Sequence, residues 1–476
     1  MFDFEFDDPT EGDRSDDLIE AYEAHLRDGG PAFFDVDDLE YIATTYFEAG
    51  RLTDALEVVD VQIERSPGSS DPWMRRGILL NHLDRHEEAL EAYNKALGLN
   101  PVDSETLVNR GITLDTIGRS EDALEDFERA LSFDPFASDA LFNRAIALEK
   151  MDQFEDAASA LEACAEADPE HPEVWYELGF CYDQLDRLDD SVTAYDRQID
   201  VDPYAQNAWY NRGIVLNRLS RYDEAVSSYD FAVAIDDGFT SAWYNRGNAL
   251  ANLGDAQGAA DSYLKVLEYE DGDAATFYNL GLAYDDLGDY AAAVEYFRRA
   301  VADDADYADA WYGMGCALDG QGHYNEALAS FARAIALAPE ESEYWHARAD
   351  TEYNAGRLAE ALRAYTHVVR LDPENKDAWL DLAETRLEAG LRLEALDAFS
   401  QVVRLDPTSS EAHLRQAWAL ASIGQRENAV RSFRRAAELD PSRAEEIRRA
   451  YPDLMGGDAR PGAGGLGRGA AGDERA

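Results

Sequence analysis

Lysine is almost missing from this chain, standing only at Lys95, Lys150, Lys265 and Lys376 among 42 lysines and arginines. Cysteine is scarce too. Cys164, Cys181 and Cys316 lie in separate contexts without CxxC spacing, which argues for packing as their expected role over redox or metal chemistry. The eight histidines include no HExxH and no other paired ligand spacing; His82 and His86 are four apart but straddle a turn. There is no phosphate-cradling glycine loop and no nucleophile elbow, and Asp271-Gly272-Asp273 lacks the rest of a calcium loop. No apolar run approaches the roughly 20 residues of a membrane span. Met1 through Asp8 carries acid where a secretory signal would need basic residues and an apolar core. The expectations are no catalytic or metal residues, no cofactor, neither nucleic acid nor membrane as partner, and a cytoplasmic location.

Acid is what the chain has in excess: 98 Asp and Glu against 42 cations, a net charge of −56. One explanation is an acidic surface that steers basic partners. The other is adaptation to molar salt, where repulsion is screened within about 3 Å. Acid spread through the whole length, with lysine avoided, fits the second better and resembles the composition of extreme halophiles.

The dominant pattern is a period of 34 residues. Pro67, Pro101, Pro135, Pro169 and Pro203 keep it; Asp237, Asp271 and Ala305 take the next beats, and Pro339, Pro373, Pro407 and Pro441 resume in phase. Within 70–103, Trp73, Gly77 and Leu80 belong to one apolar run, and Ala89, Tyr93 and Ala96 to another, with Asp84-Arg85 between. Both runs have helical spacing, which predicts helices near 71–83 and 87–99 joined by a tight turn. Glycine often fills that turn, as at Gly118, Gly254 and Gly288, where a left-handed residue can end a helix. Proline stops the second helix. Glycine also recurs inside the first helix, at Gly77, Gly111, Gly179, Gly213, Gly247, Gly281 and Gly315. There it costs about 1 kcal/mol against alanine, so close approach by another helix is expected. Such a unit cannot bury its apolar face alone, and the chain must stack its units in series.

Residues 175–203 carry Trp175, Leu178-Gly179, Tyr182, Tyr195 and Pro203, with Ser191 where alanine is usual. On these residues the chain resembles the tetratricopeptide repeat family over about 36–443. That resemblance implies an all-α, right-handed solenoid superhelix of twelve units: 36–69, 70–103, 104–137, 138–171, 172–205, 206–239, 240–273, 274–307, 308–341, 342–375, 376–409 and 410–443. Departures cluster at the ends, with Leu39, Ala43 and Gln62 in the first unit and His413 and Ala417 in the last. Outside the units, the composition suggests an acidic disordered arm at 1–15. A capping helix is expected within 16–35, built on Leu18, Ile19, Tyr22 and Leu26. A closing helix is expected at 444–455, with Ile447 and Tyr451 inward, and a disordered Gly/Ala/Arg tail at 456–476.

At about 100° per residue, positions 4, 7, 8 and 11 of each unit point to the partner helix and positions 2, 5, 6, 9 and 13 point away. In the family the latter line a concave groove. Position 6 holds Asn109, Asn143, Asn211, Asn245 and Asn279, broken once by Glu177; position 5 holds Tyr176, Tyr210, Tyr244, Tyr278 and Tyr312. Asn248, Asn252 and Arg218 fall on the same face. An amide both donates and accepts, so a regular row could pair with the backbone of an extended segment, and tyrosine adds rigid contact area. The alternatives are that Asn solvates the helix face and that Tyr packs on the neighbouring unit. Arg110, Arg144, Arg212 and Arg246 follow the Asn and are expected to lie between units, paired with acids. The lysine clamp of chaperone-tail binders is missing, because position 5 is Met74, Val108 and Phe142 before it becomes Tyr. Repeats occupy 36–443 and leave no room for an enzyme domain. The expected function is a scaffold or adaptor that binds extended segments of other proteins. The alternative is a structural assembly subunit that self-associates through its ends or outer surface, since 410–455 carries eight Arg and seven acids while 1–40 carries two Arg and fifteen acids.

Overall fold

The computed structural model describes residues 11–28 and 33–442, in which every regular element is a helix, twenty-five in number. After the N-terminal helix Glu11–Asp28 they come in pairs that recur every 34 residues, up to Ser410–Ser422 and Arg426–Leu439. The pair expected near 71–83 and 87–99 is Asp71–His82 and His86–Leu99. The fold is all-α, a tandem series of helix-turn-helix pairs. Residues 1–10 and the stretch expected to form the closing helix and tail, 444–476, lie outside the described residues.

Four local devices make the pair. The turn between its helices contains one left-handed residue, glycine at Gly50, Gly118, Gly254, Gly288, Gly322, Gly356, Gly390 and Gly424. Asp84, Asp152, Asp186 and Ser220 hold the same conformation at φ of 58–59° without being glycine. After the second helix, an aspartate before the proline folds its carboxylate onto a backbone N–H two residues on. Asp134 accepts from Phe136 at 3.1 Å, Asp202 from Tyr204 at 2.9 Å and Asp372 from Glu374 at 3.1 Å. This Asx turn supplements the proline stop. The indole N–H of the signature tryptophan then donates to the carbonyl six residues before it, as in Trp175 to Pro169 at 3.0 Å and Trp209 to Pro203 at 3.1 Å. His413 holds the tryptophan position in the last unit and places Nε2 3.1 Å from the Pro407 carbonyl. Each of these bonds ties the connector to the next first helix.

The fourth device answers the glycines. An ideal Cβ on Gly111 would stand 2.5 Å from the Phe127 ring, on Gly179 2.8 Å from Tyr195, and on Gly281 2.6 Å from Phe297. The partner sixteen residues on is a buried aromatic, so the close approach is between a first helix and a ring of the second. Ser191, where alanine is usual, is fully buried; its hydroxyl donates to the Gly179 carbonyl at 2.7 Å, which satisfies the polar group inside the core.

The chain falls into two compact units, Met1–Asn245 and Arg246–Ala476. In the first, each helix packs on its pair mate and on the helix that follows, and the first helices also touch one another, Asp71–His82 with Ser104–Thr116 and the latter with Ser138–Glu149. In the second, Ala274–Asp286, Ala308–Gly320 and Ser342–Asn354 form the same row. Arginine at position 7 bridges second helices as expected: Arg110 grips buried Asp126 through Nε and Nη2 at 2.6 and 2.5 Å and reaches Asn94 at 2.5 Å, while Arg212 meets Asp196 at 2.6 Å and Ser228 at 2.7 Å. The N-terminal helix begins at Glu11, inside the stretch expected to be an arm. It docks through buried Tyr22, which stands edge-on to Phe34 at 5.2 Å. Leu18 and Ile19 pack there too, whereas Leu26, expected inward, is 59% exposed.

Candidate functional site

Positions 5, 6, 9 and 13 of the first helices share a face; the asparagines at positions 6 and 9 are half-buried, and Asn252 at position 13 is exposed. Their amides do two different things. Asn109 and Asn143 donate to carbonyls of their own helix one turn back, Glu105 at 3.0 Å and Asp139 at 2.8 Å. Asn211 and Asn245 instead donate to tyrosine hydroxyls of the preceding repeat, Tyr176 at 3.0 Å and Tyr210 at 2.9 Å. The partners are 35 residues apart, one period plus one position. In the second unit, Asn248 Oδ1 accepts from the Tyr263 hydroxyl at 2.8 Å and lies 3.4 Å from Asn279 Nδ2, and Asn252 donates to the Asn248 carbonyl at 3.0 Å.

The tyrosine row is wedged into the stack. Tyr176, Tyr210, Tyr278 and Tyr312 each pack on the core aromatic nineteen residues on: Tyr195 at 5.9 Å, Tyr229 at 6.1 Å, Phe297 at 5.8 Å and Phe331 at 6.0 Å between centroids. Tyr312 also stacks on Tyr344 of the following repeat at 4.9 Å. Tyr244 is half-buried in the same row. Burial raises the hydroxyls of Tyr176, Tyr210, Tyr278 and Tyr312, that of Tyr278 up to about 12, so these four stay neutral hydrogen-bonding groups near neutral pH. The row therefore combines inter-repeat packing with a half-exposed edge.

Glu177, which interrupts the asparagines, is not an ordinary carboxylate. Burial first, then the charges of Glu149 and Glu173, push its pKa up to about 7. Below that pH it carries one O–H donor beside an acceptor, so it offers the same pair of functions as the amides it replaces. Glu149 is raised as well, by burial, and accepts from the Cys181 thiol at 3.1 Å. All three cysteines are free, and burial raises each of them, the opposite of what a reactive thiol needs.

Arg218 is engaged in an ion-pair staircase. It donates to Asp183 of the preceding repeat and meets Asp186 at 2.8 Å; two repeats earlier, Lys150 meets Asp115 at 2.5 Å. In both cases position 13 of one repeat answers the acid at position 12 of the repeat before. In the second unit Asp285 and Asp319 occupy position 12, but the answering positions hold Gly320 and Asn354, and one buried oxygen of each acid has no hydrogen-bond partner among the described residues.

Further along the second unit the face changes chemistry. Position 5 becomes His346 and the next position 6 becomes Asp381, with His346 Nε2 2.9 Å from Asp381 Oδ2 and 3.9 Å from Asp350 Oδ1. The hydrogen bond to Asp381 raises the histidine pKa above its ordinary value, against the effect of burial. Local histidine spacing along the sequence does not reveal this cluster. His346 and Asp350 stand one helical turn apart, and the third member sits at the same 35-residue offset that joins Tyr176 to Asn211.

Sequence profiles of the tetratricopeptide repeat match residues 70–102, 148–209 and 286–350, and in another variant 108–150, 182–238, 210–275, 346–410 and 380–444. No curated protein matches the chain. Among solved structures it resembles the Cut9–Hcn1 hetero-tetramer of APC/C at 16% identity, over 86% of this chain and 94% of that one, with a TM-score of 0.41. It also resembles the C-terminal part of a TPR repeat-containing protein from Cytophaga hutchinsonii, at 15% identity over 52% and 99% of the chains and a TM-score of 0.45. YrrB, described as a TPR protein with an unusual peptide-binding site, matches at 22% identity over 39% and 96%, with a TM-score of 0.36. Likeness at these levels says nothing of what this chain binds.

Proposed function

The chain belongs to the tetratricopeptide repeat family, and on that premise we propose that it is a non-catalytic scaffold or adaptor. Its first-helix face holds extended segments of other proteins. The observation that carries this reading is the set of half-buried amides at position 6 of the first unit, Asn109, Asn143, Asn211 and Asn245, with Asn279 at the same position in the second unit. Asn211 and Asn245 each spend one N–H on a tyrosine hydroxyl. That bond holds the side chain in one orientation before a guest arrives, which lowers the entropy lost on binding. The carbonyl oxygen of the amide remains to meet a guest's backbone N–H, and the tyrosine edges beside it supply apolar area.

The test must separate recognition from stacking, because the same amides join repeats. A display library of unstructured peptides is selected on the intact chain, and the selected peptides are measured by fluorescence anisotropy. Replacing Asn211, Asn245 and Asn279 together by Ala should weaken binding by about 0.5–1.5 kcal/mol for each hydrogen bond lost, so a hundredfold loss is within reach. Tyr176→Phe with Tyr210→Phe removes the Asn–Tyr bonds but keeps the amides, and should preserve most of the affinity. Asp223→Asn, on a second helix, is the control. Equal binding by the triple variant would refute the groove reading. A library that yields no ligand, with an apparent mass that grows with concentration, would put assembly in its place.

A further inference from the structure

We propose that His346, Asp350 and Asp381 form a binding site for one divalent transition-metal ion of the zinc type on the first-helix face of the second unit. His346 and Asp350 lie on the helix Ser342–Asn354, and Asp381 lies on Lys376–Glu388, the first helix of the next repeat. Stacking of the two repeats is what brings the three together.

The geometry is close to what such an ion needs. Tetrahedral zinc binds imidazole nitrogen at about 2.0–2.1 Å and carboxylate oxygen at about 2.0–2.2 Å, which sets ligand atoms about 3.4 Å apart. Here the histidine nitrogen is 2.9 Å from one carboxylate oxygen and 3.9 Å from the other, and the three ligand atoms all lie within 4.8 Å of one another. Small rotations of three side chains, two of them half-buried and one exposed, would bring these separations to the required value. No backbone movement is called for.

Two supporting groups are already in place. The hydroxyl of buried Tyr365 donates to Asp350 Oδ1 at 2.5 Å, and the His346 ring stands edge-on to the Tyr365 ring at 5.8 Å. Outer groups of this kind orient metal ligands and are worth roughly 10–100-fold in affinity. The donor set selects the ion: one imidazole with two carboxylates suits zinc, nickel or copper, whereas magnesium and calcium take oxygen ligands. Three protein ligands leave a four-coordinate ion one position short. That position is open to water or to a histidine, cysteine or carboxylate brought by a segment lying on this face. The proposal does not depend on the peptide reading, since the ion binds to the chain alone.

The experiment titrates the intact, chelator-treated chain with cobalt(II), followed by its visible absorption, and with zinc(II), followed by calorimetry. About 1 M KCl suppresses loose collection of ions by the acidic surface. One ion per chain is expected. His346→Gln and Asp381→Asn should each lower the affinity about tenfold or more, Tyr365→Phe should lower it less, and Asp223→Asn should leave it unchanged. Circular dichroism reports whether each variant is folded, and either of the first two decides the matter if the other is not. The proposal is overturned if the chain binds no ion under these conditions, or if His346→Gln or Asp381→Asn binds as tightly as the parent.

Discussion

Gly213→Ala sets two magnitudes against each other. Helix propensity alone says the change should stabilise the chain by about 1 kcal/mol, because Gly213 lies mid-helix. The packing says otherwise: an ideal Cβ at Gly213 would stand 2.5 Å from Cε1 and 2.8 Å from Cζ of Tyr229, whose ring is 1% exposed and cannot swing away. Overpacking of this kind costs about 1–3 kcal/mol, so the expected net loss is about 1 kcal/mol. The chain contains its own calibration. Ala145 shares a cluster with Leu161, a smaller partner, while Ala349 with Tyr365, Ala383 with Phe399 and Ala417 with Phe433 place alanine and a ring in one buried cluster. The double variant Gly213→Ala/Tyr229→Leu recreates the combination at 145 and 161. It should be less destabilised than the two single changes added together, by about 1 kcal/mol. Because a stacked array need not unfold in one step, hydrogen exchange of the amides in Gln206–Arg218 is the assay, with urea melts at fixed salt beside it. A stabilised single variant, or strict additivity of the two changes, would refute the close-approach argument.

Three further outcomes are expected. Glu177 titrates near 7 in the fold against an ordinary value of 4.5, so its contribution to stability is fully present below about pH 4.5 and is lost as pH rises through about 7. The full shift corresponds to about 3 kcal/mol, which partial exposure and salt reduce to about 1 kcal/mol; Glu177→Gln should remove that decline, and parallel melting-versus-pH curves for variant and parent would contradict it. Ser220 holds φ of 59° with a side chain, so Ser220→Gly should stabilise the fold by about 0.5 kcal/mol after the entropy of a freer unfolded chain is subtracted, read as a higher melting temperature. A drop would mean that the turn is unstrained, and Asp84→Gly should gain less, since aspartate tolerates this region better. The charge of −56 predicts melts that rise steeply between about 0.1 and 3 M KCl; melts indifferent to salt would leave the acidity in need of a functional cause.

What could be read in advance was whatever repeats within one unit. The helix limits, the left-handed turn and the glycine contact all follow from positions within one repeat, and the period multiplied each signal. The arginines at position 7 were legible because their length and charge leave few places to lie between stacked helices. The tyrosines were harder. Helical-wheel geometry put Tyr176 and Asn211 on one face but treated each repeat alone, and so could not show that a residue at position 5 meets position 6 of the repeat after it. The same blindness hid His346 with Asp381. A scan for complementary side chains 35 residues apart would have found both. Leu26 departs from the apolar pattern because the helix Glu11–Asp28 turns Leu18, Ile19 and Tyr22 toward the stack and leaves Leu26 59% exposed.

The bond from each signature indole to the carbonyl six residues earlier gives this chain an unusual kind of heredity. If residues 172–205 were excised as a block, Trp209 would follow Pro169 at the distance that Trp175 now keeps, and would find a carbonyl already used to accept an indole N–H. Arg212, now paired with Asp196, would come opposite Glu162, another acid. The joint closes with parts of the same shape and charge. Gene segments of 34 codons are therefore interchangeable currency for recombination: a slip between neighbouring copies lengthens or shortens the array by a whole repeat, and selection receives a scaffold of new reach whose junctions are already proven.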